Sequence, residues 1–146
     1  MSQKEIKSVL ESCRTVAVVG LSRDPKKDSH NVARYLQSVG YRIVPVNPFV
    51  DQVLGETAYK SLLDVPEKID IVDIFRPSAA VPAIVEEAIQ LRNKLGSPNV
   101  IWMQLGIVNE AAANHAKGAG FTVVMDRCMM RVHKSLVKEG VILSKR

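Results

Sequence analysis

The stretch from Thr15 to Pro48 constrains the fold of this chain more than any other. It reads as strand, loop, helix and strand in direct succession. Thr15-Val16-Ala17-Val18-Val19 is short, apolar and rich in β-branched residues, and it stops at Gly20. Such a run suits a strand buried on both faces of a parallel sheet. A polar loop through Arg23-Asp24-Pro25-Lys26-Lys27-Asp28 follows. Helical spacing from Ser29 to Val39 then turns Val32, Ala33 and Leu36 inward and ends at Gly40. Tyr41 to Val46 predicts the second strand, which runs into Asn47-Pro48. The unit is half of a nucleotide-binding α/β arrangement.

The same alternation continues to the end of the chain. A helix is predicted from Glu5 to Ser12, before the first strand. Asn47 to Pro66 forms a longer connection with a short helical piece at Ser61 to Asp64. Further strands are expected at Ile69–Phe75, Val100–Met103 and Phe121–Met125. Helices are expected at Ser78–Leu95, with Pro82 tolerated in the first turn, at Lys117 back to a cap at Asn109, and at Cys128–Lys138. Five strands separated by helices predict an α/β, three-layer, doubly wound fold with a five-stranded parallel sheet. The length of 146 residues and the lack of any repeat or linker predict one domain over residues 1–146.

In such sheets ligands sit beyond the carboxyl ends of the strands, where strand order reverses. That rule selects Gly20–Ser29, Asn47–Phe49, Arg76–Ser78, Gln104–Ile107 and Asp126–Met129. Gly20 lets backbone approach a phosphate, and Ser22 and Ser29 offer hydroxyls. Ser29 suits an N-cap, so that the N–H groups of His30, Asn31 and Val32 would face an anion. Arg23, Lys26 and Lys27 can meet further phosphates. The competing reading is a plain strand–helix connection carrying solvated charges.

The Gly-x-Gly-x-x-Gly spacing of dinucleotide sites is missing, and so is the acid that would hold a ribose after the second strand. Asn47 stands there instead. Pro48 beside it is either a flat surface for a base or half of a turn-forming pair. Phe75 and Val81 can wall an adenine pocket, and Arg76 after Phe75 can serve a phosphate. Phe75 in the core and Ser78 as a helix cap are the simpler assignments. Trp102 is read as packing, whereas Gln104 reaches the ligand edge as a contact or a loop residue.

No catalytic constellation is found. His30 lies near the proposed phosphates, where a neutral imidazole could donate a hydrogen bond; His115 and His133 read as surface residues. Metal-ligand spacing is absent. Cys128 beside Arg127 at a helix start has the surroundings that acidify thiols, although a free cysteine is more often buried. The net charge of +5 fits nucleic acid in sign, but aromatics make up only 5% and no dense basic run occurs, which argues against that partner. No apolar run approaches a membrane span, and the polar start Met1-Ser2-Gln3-Lys4-Glu5 does not begin a secretory signal. Two cysteines, Cys13 and Cys128, fit reduced thiols in a cytoplasm.

Six segments in order resemble the CoA-binding protein family, small domains similar to the N-terminal domain of the succinyl-CoA synthetase α subunit. They are Val18-Val19-Gly20-Leu21-Ser22, Gly40 to Pro48, Leu54-Gly55-Glu56-Thr57-Ala58-Tyr59, Asp70 to Pro77, Ile101 to Ile107 and Val124 to Cys128. The resemblance implies a Rossmann-like fold holding coenzyme A or an acyl-CoA. It carries the pyrophosphate contacts to Gly20, Leu21, Ser22 and the loop to Ser29. Asn47 and Pro48 would lie by the nucleotide, beside Phe75, Arg76, Pro77 and Val81. Gln104 and the Cys128–Met129 turn would lie nearer the pantetheine. The synthetase's catalytic histidine belongs to a second domain outside these segments, so ligation of acids to CoA is not implied. One departure is Val132, where family members often carry an acid before the residue matching His133. A non-catalytic, cytoplasmic CoA-binding protein, monomeric or homodimeric, is the leading expectation. The alternatives are an NAD(P)-binding redox domain, a thiol regulator in which Cys128 joins CoA, and a module serving a CoA-using partner enzyme.

Overall fold

A computed structural model describes residues 2–142; residues 1 and 143–146, the two ends of the expected domain, lie outside the described part. Helix α1 spans Gln3–Ser12 and is closed at its start by a reciprocal Ser2–Glu5 capping box. It leads into β1, Thr15–Val19. The crossover helix α2, Asp28–Ser38, returns the chain to β2, Arg42–Val46. A two-stranded antiparallel hairpin follows, β3 at Gln52–Val53 and β4 at Glu56–Thr57. The remaining sheet strands are β5 at Ile71–Ile74, β6 at Val100–Met103 and β7 at Thr122–Val124. Between and after them run α3, Val81–Leu95, α4, Glu110–Gly118, and α5, Met129–Lys138.

All five long strands pair in parallel, in the order β2-β1-β5-β6-β7. The sheet is buried on both sides, as the continuous apolar runs predicted. One face carries Val16, Val18, Ile71, Trp102 and Val124 against residues of α1, α2 and α5. The other carries Ala17, Val19, Val72, Ile74 and Met103 against α3 and α4. Order reverses between β1, which connects outward to β2, and β5, which connects the other way to β6. The loops after these two neighbours therefore flank the ligand crevice of the fold.

Several boundaries differ from the sequence reading, each for a local reason. Tyr41 lies before β2, with its backbone N–H on Leu36 and its hydroxyl on the Leu10 carbonyl. Residues Ser78–Ala80 form a separate 3-10 turn, so α3 begins at Val81 with Pro82 in its first turn. The helical piece near residue 61 is a 3-10 turn, Leu62–Asp64, capped by Ser61. The β3–β4 hairpin has only two residues per strand, too few to show an alternating pattern. His133, expected on the surface, is 1% exposed. Its Nδ1 meets the Tyr35 hydroxyl at 2.6 Å, and its ring stands edge-on to Tyr35 and Tyr41. It ties α5 to α2 within the core.

Candidate functional site

The crevice is assembled from backbone first. Gly20 has φ of +88° and donates its N–H to the Val46 carbonyl. A Cβ built on it would stand 2.8 Å from the Phe75 carbonyl oxygen and 3.1 Å from Cδ of Arg76. The glycine thus lets the loops after β1 and β5 touch. That contact requires its small size.

The loop that follows is held by its own hydrogen bonds and is not merely a solvated connection. Asp24 N–H donates to Ser22 Oγ at 3.0 Å, Lys26 N–H to Asp24 Oδ1 at 2.9 Å and Lys27 N–H to the Asp24 carbonyl at 3.0 Å. Arg23, Lys26 and Lys27 are exposed, and among the described residues none of the three forms an ion pair. A cationic rim is left at the start of α2.

Helix α2 begins at Asp28, with its cap two residues before the expected Ser29, and this changes which groups point outward. Lys27 occupies the cap position, without a side-chain capping bond. Ser29 is inside the first turn and buried, and its Oγ accepts the Ser22 N–H at 2.9 Å. The Asn31 N–H already donates to the Lys27 carbonyl, and Val32 lies one residue further in. The donors such a helix start leaves without an intrahelical partner are therefore Asp28, Ser29 and His30. Their dipole end still favours an anion. His30 is 8% exposed, and its Nδ1 lies 2.8 Å from the Ser22 carbonyl. A carbonyl only accepts, so Nδ1 carries the proton, and Nε2 of a neutral ring is an acceptor. The expected donation from a neutral imidazole to phosphate would have to come from the imidazolium instead.

Asn47 is likewise engaged within the chain. Its Nδ2 donates to the Leu21 carbonyl at 2.9 Å, and its Oδ1 accepts the Phe49 N–H at 2.8 Å. This fastens the loop after β2 to the loop after β1 and sets an Asx turn that presents Pro48 and Phe49. Both are exposed, Phe49 to 86%. Phe49 received no role from the sequence. The signal was its place one residue beyond the Asn-Pro pair at the ligand edge.

On the other flank, Ser78 Oγ accepts the Val108 N–H at 3.0 Å, joining the loops after β5 and β6. Asp126, at φ of +61°, accepts the Gly106 N–H at 2.7 Å and joins those after β6 and β7. Gln104 is buried, and its Oε1 accepts the Met129 N–H at 3.1 Å, capping α5. Trp102 packs in the core as expected, and its Nε1 donates to the Arg127 carbonyl at 2.8 Å.

A cleft of about 210 Å³ opens between the starts of α2 and α5, lined by Asp28, Val32, Phe75, Gln104, Cys128 and Met130 among others. Phase by phase along the edge, the predicted residues divide. Phe75 is half-buried and faces this cleft, instead of lying wholly in the core. Cys128 is also half-buried there, at the cap of α5. Arg76 and Pro77 are exposed at the crevice. Leu21, Val81 and Met129 have no exposed surface; Val81, the first residue of α3, is turned into the core and presents no wall to a base. A larger hollow of about 400 Å³ runs between α1 and α5, past Ile6 and Leu136, on the flank of the sheet rather than at its carboxyl edge.

Among the described residues no group of three or more His, Cys, Asp or Glu side chains is placed to hold a metal ion. No described helix is long and apolar enough to cross a membrane. The order reversal at β1/β5, the anion-favouring start of α2 and the cleft beside it together define a doubly wound α/β ligand-binding domain.

Comparison with known proteins makes the class specific. The CoA binding domain family matches residues 14–134, and the chain belongs to that family. It is 42% identical to the uncharacterized protein YneT of Bacillus subtilis over 132 residues, 90% of this chain and 94% of that one. A hypothetical protein from Pyrococcus horikoshii superposes with a TM-score of 0.88 at 36% identity, covering 94% of this chain and 93% of the other. An ADP-forming acetate–CoA ligase of Methanocaldococcus jannaschii is 35% identical over 74 residues, 51% of this chain but 10% of the ligase. The resemblance read from the six segments and the doubly wound, Rossmann-like fold are both established by these matches.

Proposed function

We propose that this protein holds coenzyme A, free or acylated, along the carboxyl edge of its sheet, and that it does so in the cytoplasm without ligase chemistry of its own. The observation that carries the reading is the crevice between the β1 and β5 loops in a chain of the CoA binding domain family. The pyrophosphate would meet the N–H groups at the start of α2, with Arg23, Lys26, Lys27 and Arg76 around it. The pantetheine would run toward Phe75, Gln104 and Cys128. A cleft of about 210 Å³ takes a segment of such a ligand, compared with roughly 300–1,000 Å³ for pockets that enclose a whole small molecule. The nucleotide would thus lie across the open edge. The ligase relative, whose matching 74 residues make up 10% of its own length, supports the reading of a CoA-using partner enzyme.

Calorimetric titration with CoA, acetyl-CoA, NAD and NADP tests the reading. Saturable binding of CoA or acetyl-CoA, weakened when dephospho-CoA replaces CoA, is the expected result. Tight NAD binding with no CoA binding would overturn it. A thiol-linked reading is favoured by one observation, the half-buried Cys128 lining the cleft. Exchange with CoA disulfide would leave CoA joined to Cys128 and release one CoA thiol, with no other oxidant needed. Intact mass after that treatment should rise by one CoA; an unchanged mass removes this reading alone.

A further inference from the structure

We infer that Phe49 is the platform on which the purine of the bound nucleotide stacks. The inference rests on the CoA reading above and assigns the part of the ligand that the cleft does not hold. The other two phenylalanines are engaged, Phe121 in the core and Phe75 at the cleft wall. Phe49 is 86% exposed, so its ring contributes little to folding.

Its backbone, by contrast, sits on a turn fastened at both ends. Pro48 precedes it with a locked φ. The Phe49 N–H is held by Asn47 Oδ1, and the Asn47 N–H is held by the Tyr59 carbonyl at 2.8 Å. Two residues on, the Asp51 carbonyl accepts the Ala58 N–H, and the β3–β4 hairpin closes the loop. A rigid aromatic on a pinned turn loses little freedom when a flat partner covers it.

Position selects that partner. β2 lies next to β1, and β1 next to β5, so the β2 loop stands one to two strand spacings, about 5–10 Å, from the crevice. A nucleotide whose phosphates meet the start of α2 reaches that far. The link from Asn47 to the Leu21 carbonyl holds the two loops in register. Asn47 has both ends of its amide committed, and no acid stands at that position to take the ribose hydroxyls. Base stacking is the recognition that an exposed aromatic at this end of the edge offers, and Phe49 supplies its π-face.

The test compares wild type, Phe49→Ala and Phe49→Trp in titrations with CoA, 4′-phosphopantetheine and adenosine 3′,5′-bisphosphate. Stacking on one aromatic predicts that Phe49→Ala weakens CoA and the bisphosphate by about 10-fold or more, with phosphopantetheine unchanged. Phe49→Trp should retain CoA binding. Its exposed indole, added to the single buried Trp102, should be quenched by CoA and by the bisphosphate but not by phosphopantetheine. Unaltered CoA affinity in Phe49→Ala, or an unquenched indole while CoA binds, overturns the platform and leaves the CoA reading standing. Equal loss for all three ligands also overturns it, because the effect would not be that of a base contact. A wild-type protein that binds none of the three overturns the CoA reading and the platform with it.

Discussion

At the scale of single residues, two side-chain facts govern the crevice and the sheet beneath it. Gly20 stands where a left-handed backbone and a carbonyl 2.8 Å from the missing Cβ coincide. Gly20→Ala should therefore cost about 2 kcal/mol or more in urea unfolding, and a cost near zero would refute the close approach of the β1 and β5 loops. Asp73 is the second. It is wholly buried in β5 between Val18 and Trp102, and neither carboxylate oxygen has a hydrogen-bond partner. Burial pushes its carboxyl well above the usual range. A group that binds its proton more tightly in the folded state favours folding fully below its unfolded value, about 4. That contribution is lost as pH rises through this value toward the raised folded one. Asp73→Asn cannot ionise, so its thermal midpoint should gain on that of wild type as pH goes from about 4 to 8. Parallel profiles would mean that Asp73 is not held neutral.

At the scale of elements, the starts of α2 and α5 are where function meets folding. Ser29 spends its hydroxyl on the Ser22 N–H, and Gln104 spends its amide oxygen on the Met129 N–H. Ser29→Ala and Gln104→Ala should each cost about 1 kcal/mol of stability, read from denaturant midpoints at constant slope. Ser29→Ala should also weaken CoA binding, because the Ser22 loop loses its anchor. Binding unchanged by that substitution would detach the loop from the ligand. These same elements show what a sequence can disclose. The strands were legible because apolar β-branched runs have few other fates, and Asn109 was legible as a cap because its side chain meets the Ala112 N–H locally. The cap of α2 was misplaced by two residues because Ser29 makes its bond to a residue seven positions back, which no local pattern displays. His133 was misread for the same reason, its partner Tyr35 lying 98 positions away. Gly20 was singled out in the sequence for a phosphate, and the contact that needs a glycine there comes from Phe75, far along the chain.

At the scale of the whole molecule, ligand and fold are coupled by mass action. If CoA binds only the folded chain, a 100-fold excess over its dissociation constant adds about 2.7 kcal/mol. For a chain of this size that raises the thermal midpoint by roughly 5–10 °C. NAD at the same concentration should leave it in place, and a shift with NAD alone would count against the CoA assignment. The ties between successive loops, Asn47 to Leu21, Ser78 to Val108 and Asp126 to Gly106, bear on how fast such a ligand arrives. They stitch the mouth of the crevice together before anything enters it, so association has no loop closure to wait for. Observed rates in stopped flow should then climb in proportion to ligand concentration as a single exponential, without a plateau, and differences in affinity among acyl forms should reside in how slowly each one leaves.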